Sequence, residues 1–377
     1  MTLLAGVGAM LVLYAGGVLA QEAPQDTGAE RYIVVFKDEA VAKPGQAASA
    51  LARRDNLEVG FVYRHALEGF SAVIPQTKLD EVRADSRVKY IEHDGKMHAF
   101  AQTLPWGINK IDADLSSTRA GDGSGAVTIV RAYIIDSGIY SHSDLNVVNH
   151  VNFAGGNNTD CNGHGTHVAG TVAARDDAND VVGVAPGAPL IGVKVLGCSG
   201  SGSYSRVIAG IDWVTANAAK PAVANMSLGG PASKSVDDAV KKSANSGITY
   251  ALAAGNDAAD ACNSSPARAG AGTNNGIVTV AATNSGDSEA SFSNYGPCVD
   301  TWAPGVGVSS TKKGGGTTTM SGTSMASPHV AGGAALYLSS KTASPSTVES
   351  ALKSAATTTA YKSKDGRTII RENVASF

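Results

Sequence analysis

Three short stretches of this 377-residue chain carry side chains suited to acyl transfer. Tyr133–Gly138 (YIIDSG) ends an apolar run on an acid, Asp136. Asn162–Gly170 (NGHGTHVAG) sets His164 at the head of a small-residue stretch, and Ser321–His329 (SGTSMASPH) sets Ser324 where a helix would start. A serine hydroxyl is a weak nucleophile until a base within ~3 Å takes its proton, and that base needs a third group to orient it. Imidazole suits the base because it titrates near working pH, and a buried carboxylate holds its tautomer. Gly163, Gly165 and Gly322 leave room for a substrate backbone. A helix starting at Ser324 would aim unpaired backbone N–H groups at a developing oxyanion. Singly, each residue has a plainer reading: Asp136 as a strand-end turn former, His164 as a helix cap, Ser324 as an N-cap. Their coincidence argues for catalysis. His167 lies three residues after His164 on the same helix face, so periodicity leaves the choice of base open.

The elements that must position these groups read as α/β. Buried strands are expected at Thr128–Asp136, Leu190–Leu196, Ala222–Ser227, Thr249–Ala254 and Ile277–Ala282. Helices are expected at Ser205–Ala218, with Val207, Ile211, Val214 and Ala218 on one stripe, and at Ser235–Ser246, opened by a Ser-x-x-Asp cap and closed by Gly247. Continuous apolar strands alternating with helices imply a mainly parallel sheet covered on both faces, three layers in all, with the ligand site beyond the strands' carboxyl ends. Gly314–Thr319 reads as a loop.

Residues 30–98 differ in character. They hold 11 basic and 11 acidic residues, 4 Gly and no Cys, whereas residues 99–377 hold 39 charged residues, 35 Gly and every Cys. That shift places a domain boundary near residue 100. Within 30–98, strands at Arg31–Lys37, Phe61–Tyr63, Phe70–Ile74 and Val88–Glu92 and helices at Gln46–Leu57 and Lys78–Ala84 make the β-α-β-β-α-β order of a small ferredoxin-like α+β domain.

Net charge is −3, so nothing in the composition suggests nucleic acid as a partner. Residues 1–20 carry no charge and end Val18-Leu19-Ala20, the small-residue pattern of a secretory signal, although no Lys or Arg precedes the apolar core. The length would also permit a membrane anchor. Gly and Ala dilute the hydrophobicity, so a cleaved signal, a secreted extracellular product and no stable membrane association are expected. Cys161, Cys198, Cys262 and Cys298 suggest two disulfides in an exported chain, with three pairings open. Zinc is disfavoured because no pair has C-x-x-C spacing.

The order Asp, His, Ser is that of subtilisins, against His-Asp-Ser in chymotrypsin-like proteases and Ser-acid-His in α/β-hydrolases. On these motifs the chain resembles the subtilisin superfamily of serine endopeptidases. Residues 99–377 resemble its proteinase K branch, aqualysin-type enzymes above all. The resemblance implies a subtilisin-like fold and a catalytic set of Asp136, His164 and Ser324, with His167 and His329 structural. It implies that Asn256, in Ala253-Ala254-Gly255-Asn256, donates to the oxyanion. Gly200-Ser201-Gly202 and Ser227-Leu228-Gly229 resemble the two edges that pair with an extended protein or peptide substrate. Ala253, Ala254 and Gly255 would wall a roomy apolar pocket preferring large hydrophobic P1 residues.

The flanks of the cysteines, as in Asp160-Cys161-Asn162 and Pro297-Cys298-Val299, imply pairs 161–198 and 262–298. Asp300 resembles a ligand of structural Ca2+, although 270–276 looks longer than the family pattern. Residues 21–98 resemble a cleavable propeptide, a chaperone and intramolecular inhibitor removed by autoprocessing between His98 and Gln102. That leaves 99–377 as the peptidase domain, expected as a monomer. Two competing readings are an esterase with the same chemistry and a non-catalytic binding protein built on residues 30–98. Turnover of peptides against simple esters separates the first, and the intact Asp-His-Ser set argues against the second.

Overall fold

The computed structural model describes residues 29–37, 43–94 and 102–377. The expected signal segment, 1–20, and most of the expected cleavage region lie outside them. The described residues fall into two compact units, one within Met1–His98 and the other within Ala99–Phe377.

The first unit runs β1 (Ala29–Phe36), α1 (Pro44–Asp55), β2 (Glu58–Tyr63), β3 (Gly69–Pro75), α2 (Leu79–Arg83) and β4 (Val88–His93). Its sheet has the order β2-β3-β1-β4 with antiparallel neighbours, which is the ferredoxin-like arrangement. The alternation in β1 turns Tyr32, Val34 and Phe36 into a core shared with Leu51 of α1, Phe70 and Ile74 of β3, and Val82 of α2. Gly69 is required by β1: a Cβ there would lie 2.2 Å from the Val34 carbonyl oxygen.

The second unit begins with α3 (Trp106–Lys110), β5 (Arg131–Asp136), β6 (Val147–Asn152), α4 (His164–Ala173), β7 (Leu190–Lys194) and α5 (Tyr204–Asn217). There follow β8 (Ala222–Met226), β9 (Gly230–Pro231), α6 (Lys234–Asn245), β10 (Thr249–Ala253), β11 (Ser264–Ser265) and β12 (Ile277–Thr283). It ends with β13 (Thr301–Pro304), β14 (Val308–Thr311), β15 (Thr317–Met320), α7 (Thr323–Ser340), α8 (Pro345–Ala355), β16 (Thr357–Lys362) and β17 (Thr368–Arg371). Nine strands form one sheet in the order β16-β17-β13-β12-β10-β8-β5-β7-β6, and every neighbouring pair except β16–β17 is parallel.

Alternation along β5 shows the layering. Ala132 and Ile134 face a core with Val168 and Val172 of α4 and Val330 and Ala334 of α7. Tyr133 and Ile135 face the opposite core, with Val207 and Ile211 of α5 and Val240 of α6. With both faces covered, the central strands are mainly apolar, with a few buried polar residues such as Lys194, Asn225 and Thr279. From β5 the chain builds outward in both directions, toward β7 and β6 on one side and β8 and β10 on the other. The carboxyl ends of β7, β5, β8 and β10 therefore surround a topological switch point.

The expected strands and helices are present, with ends shifted by a few residues. Two readings need correcting. Gly314–Thr319 is not simply a loop: Gly314–Gly316 turn a hairpin that pairs β14 with β15. The cap of α6 is Ser233, whose Oγ accepts from the Val236 N–H, and not Ser235. Both serines precede the apolar stripe, and spacing alone did not separate them.

Candidate active site

Asp136 is the last residue of β5 and is fully buried. Its Oδ1 accepts from His164 Nδ1 at 2.8 Å and from the Ser137 N–H at 2.6 Å. His164 opens α4 because Gly163 (φ 107°) turns the chain in the left-handed region. The helix can approach β5 only because the next residue is also glycine: a Cβ on Gly165 would lie 2.2 Å from the Gly138 carbonyl oxygen. His167, one turn along, points elsewhere. It is buried, its Nε2 pairs with the Val308 carbonyl at 3.0 Å, and burial pushes its pKa down to about 4. His329 is likewise buried, bonded through Nδ1 to the Met325 carbonyl, and depressed to about 4 by burial. The structure thus brings His164, of the three, to Asp136. Burial works against the His164 imidazolium, but the charge and hydrogen bond of Asp136 and the charge of Asp160 outweigh it, and the pKa is raised.

Asp160 went unnoticed in the sequence because it merely flanks a motif. It is buried, and Oδ1 accepts from Ser137 Oγ and from the Asn162 and Gly163 N–H groups, each at 2.9 Å. Its Oδ2 accepts from the Thr166 N–H and hydroxyl. One carboxylate therefore ties the turn after Asp136 to the first turn of α4 and neutralises helix N–H groups that would otherwise be orphaned.

Ser324 is the second residue of α7. Pro328, four residues on, has no N–H, so the Ser324 carbonyl lacks its intrahelical donor. Ser227 Oγ supplies one at 2.8 Å, and Asn225 and Ser327 extend the network behind it. The Ser324 hydroxyl donates to the Ser227 carbonyl at 3.2 Å rather than to His164. Rotation about χ1 is the step that would turn it to the imidazole, and such contacts commonly tighten only around substrate. Asn256 follows β10. Its Oδ1 accepts from the Thr323 N–H (2.8 Å) and hydroxyl (2.9 Å), which leaves Nδ2 as the group free to donate beside Ser324.

His164 and Ser324 open on a cleft of ≈ 380 Å³. Gly200, Ser201 and Gly202 line it, as do Ser227, Leu228 and Gly229. A second cavity of ≈ 460 Å³ begins at Gly229 and is walled by Ala253, Ala254, Gly255 and Asn256, with Asp257, an acid not anticipated there. Disulfides join Cys161 to Cys198 and Cys262 to Cys298. The first ties the turn before α4 to the loop after β7 that carries Gly200.

Asp300 stands apart from this site. Its Oδ2 accepts from the Thr279 N–H (2.9 Å) and its Oδ1 from the Lys353 ammonium (3.2 Å). Among the described residues, no group of three or more His, Cys, Asp or Glu side chains could hold a metal ion, and no helix is long and apolar enough to cross a membrane.

Residues 130–369 match the subtilase family (peptidase S8), and residues 31–100 match peptidase inhibitor I9. The chain is 43% identical over 372 residues to alkaline serine exoprotease A of Vibrio alginolyticus, an alignment spanning 89% of this chain and 66% of that protein. It is 45% identical over 369 residues to an extracellular serine proteinase of Thermus sp. (strain Rt41A), spanning 89% and 86%. The crystal structure of a cold adapted subtilisin-like serine proteinase superposes with a TM-score of 0.64 at 42% identity, covering 73% of this chain and 98% of that one. This chain, with an inhibitor I9 segment ahead of its α/β unit, belongs to the subtilase family of serine peptidases.

Proposed function

We propose that the protein is a secreted endopeptidase in which Ser324 attacks the substrate carbonyl, His164 takes and returns the proton, and Asp136 holds the imidazole. The observation carrying this reading is the 2.8 Å His164–Asp136 contact, at a cleft that Ser324 also lines. As the tetrahedral intermediate forms, the Asn256 Nδ2 amide and the Ser324 N–H donate to its oxyanion. His164 then protonates the leaving amine, and water, activated by the same imidazole, hydrolyses the acyl-enzyme.

In this reading the substrate lies extended between the 200–202 and 227–229 edges, main chain against main chain. Its P1 side chain enters the second cavity, whose alanine and glycine walls suit a large hydrophobic group. Residues 1–20 are the secretion signal, 21–98 the chaperone and inhibitor removed at maturation, and 99–377 the mature monomeric enzyme. Ser324→Ala should lower kcat on peptides by roughly 10^4–10^6. An undiminished kcat, or failure of a serine-directed phosphonate to label Ser324, would sink the assignment.

Subtilases commonly bind structural calcium. Asp300 does not fit that ion, because the Lys353 ammonium on its Oδ1 already supplies the positive charge there. No step of the mechanism is routed through a metal.

A further inference from the structure

We propose that the Lys353 ammonium is the resident cation of the Asp300 site, so that this corner of the α/β unit is held together without calcium. Two carboxylates meet there: Asp300, just before β13, and Glu349 on α8, with side chains 8% and 0% exposed. Two buried anions would repel each other in such a place. Lys353 sits one helical turn after Glu349 and reaches both, with Nζ 3.0 Å from Glu349 Oε1 and 3.2 Å from Asp300 Oδ1.

Backbone donors satisfy the same carboxylates. Thr279 N–H binds Asp300 Oδ2, Asn274 N–H binds Glu349 Oε1 at 3.0 Å, and Gly276 N–H binds Glu349 Oε2 at 2.8 Å. The loop before β12 therefore presents peptide N–H groups to this site, where a hard cation would need carbonyl oxygens. The carbonyls of Ala269, Gly270 and Ala271 lie 3.3–3.4 Å from Asn275 Nδ2, which shares its two hydrogens among them. Calcium takes six to eight oxygen ligands at about 2.3–2.6 Å. Here peptide N–H groups face the two carboxylates, and an ammonium stands between them.

Burial works against both charges. It pushes the Asp300 carboxyl up to about 6, while Asp300 and Glu349 together hold Lys353 above the ordinary lysine value. Lys353 joins α8 to the turn into β13, and Glu349 ties the loop before β12 to the same corner.

The test uses the full chain carrying Ser324→Ala, which prevents self-digestion, so its outcome does not depend on turnover. Bound calcium per chain is counted by equilibrium dialysis and elemental analysis, and melting temperatures are taken in chelator. Asp300→Asn should bind as many calcium ions as its parent. Lys353→Met should melt roughly 5–10 °C lower in chelator, and Lys353→Arg should keep most of the parental value. Loss of one bound calcium in Asp300→Asn, or an unchanged melting temperature in Lys353→Met, would overturn the proposal. If Lys353→Met does not fold, the calcium count of Asp300→Asn still decides.

Discussion

The hydrogen bond between His164 and Asp136 sets what single residues should do to the pH profile. The pKa of His164 is raised because two anions, Asp136 and Asp160, outweigh its burial. In the proposed mechanism kcat/KM therefore falls as pH drops through that raised value. Asp160→Asn removes one of the two anions while keeping a side chain that can accept from Ser137. It should move the acid limb to lower pH, and a limb that stays in place would show that Asp160 acts through packing alone. Asn256 offers a second test. Asn256→Ala removes the donor that Thr323 orients, and kcat should fall by about 10^2–10^3 with KM little changed. A rise in KM at constant kcat would mean that the amide binds ground-state substrate instead. The types of these residues were legible from their motifs, but the five bonds that Asp160 accepts were not, because their donors are distributed over Ser137, Asn162, Gly163 and Thr166.

At the scale of elements, α7 carries an unusual defect. Pro328 leaves the Ser324 carbonyl without a helix donor, and the edge after β8 supplies Ser227 Oγ in its place. Ser227→Ala should cost about 1 kcal/mol by taking the donor from that part-buried carbonyl. The cost should shrink in a Pro328→Ala background, where residue 328 regains its N–H. Equal costs in the two backgrounds, measured by denaturant unfolding of Ser324→Ala protein, would show that the two residues are not coupled. The sequence displayed the central strands as largely apolar runs, since a strand covered on both faces buries nearly every side chain. It hid β6, whose sequence VVNHVN is only partly buried at the sheet edge. It also hid β15, a run of three threonines and a methionine that becomes a strand by pairing with β14.

Over the whole molecule, stability should depend on a group with no place in the chemistry. Glu372, just after β17, is fully buried, neither carboxyl oxygen has a protein partner, and burial raises its pKa from 4.5 to about 8. Between those values the folded chain keeps a proton that the unfolded chain has released. The contribution of Glu372 to stability should therefore decline as pH rises from about 4.5 and be smallest from about 8 upward. Glu372→Gln keeps the shape without the charge. It should raise the melting temperature more at pH ~9 than at pH ~5, and an equal gain at both would show that Glu372 is not protonated in the fold. At this scale charge density drops near residue 100, and the described residues form two compact units, one within Met1–His98 and one within Ala99–Phe377.

Local pattern was enough to read the parallel α/β sheet, the ferredoxin-like segment and the Asp-His-Ser order, because strand, helix and cap signals are written within a dozen neighbouring residues. Partner choice was not local. His164 and His167 share a helix face, and what separates them is that β5 lies beside one and the Val308 carbonyl beside the other. The cysteine pairs span separations of 37 and 36 residues, where spacing left three pairings open. Asp300 has the residue type of a calcium ligand, yet a lysine 53 positions away reaches it first. Such assignments depend on which buried donor and which charge arrive at the same point in space, and that is a property of the packed chain.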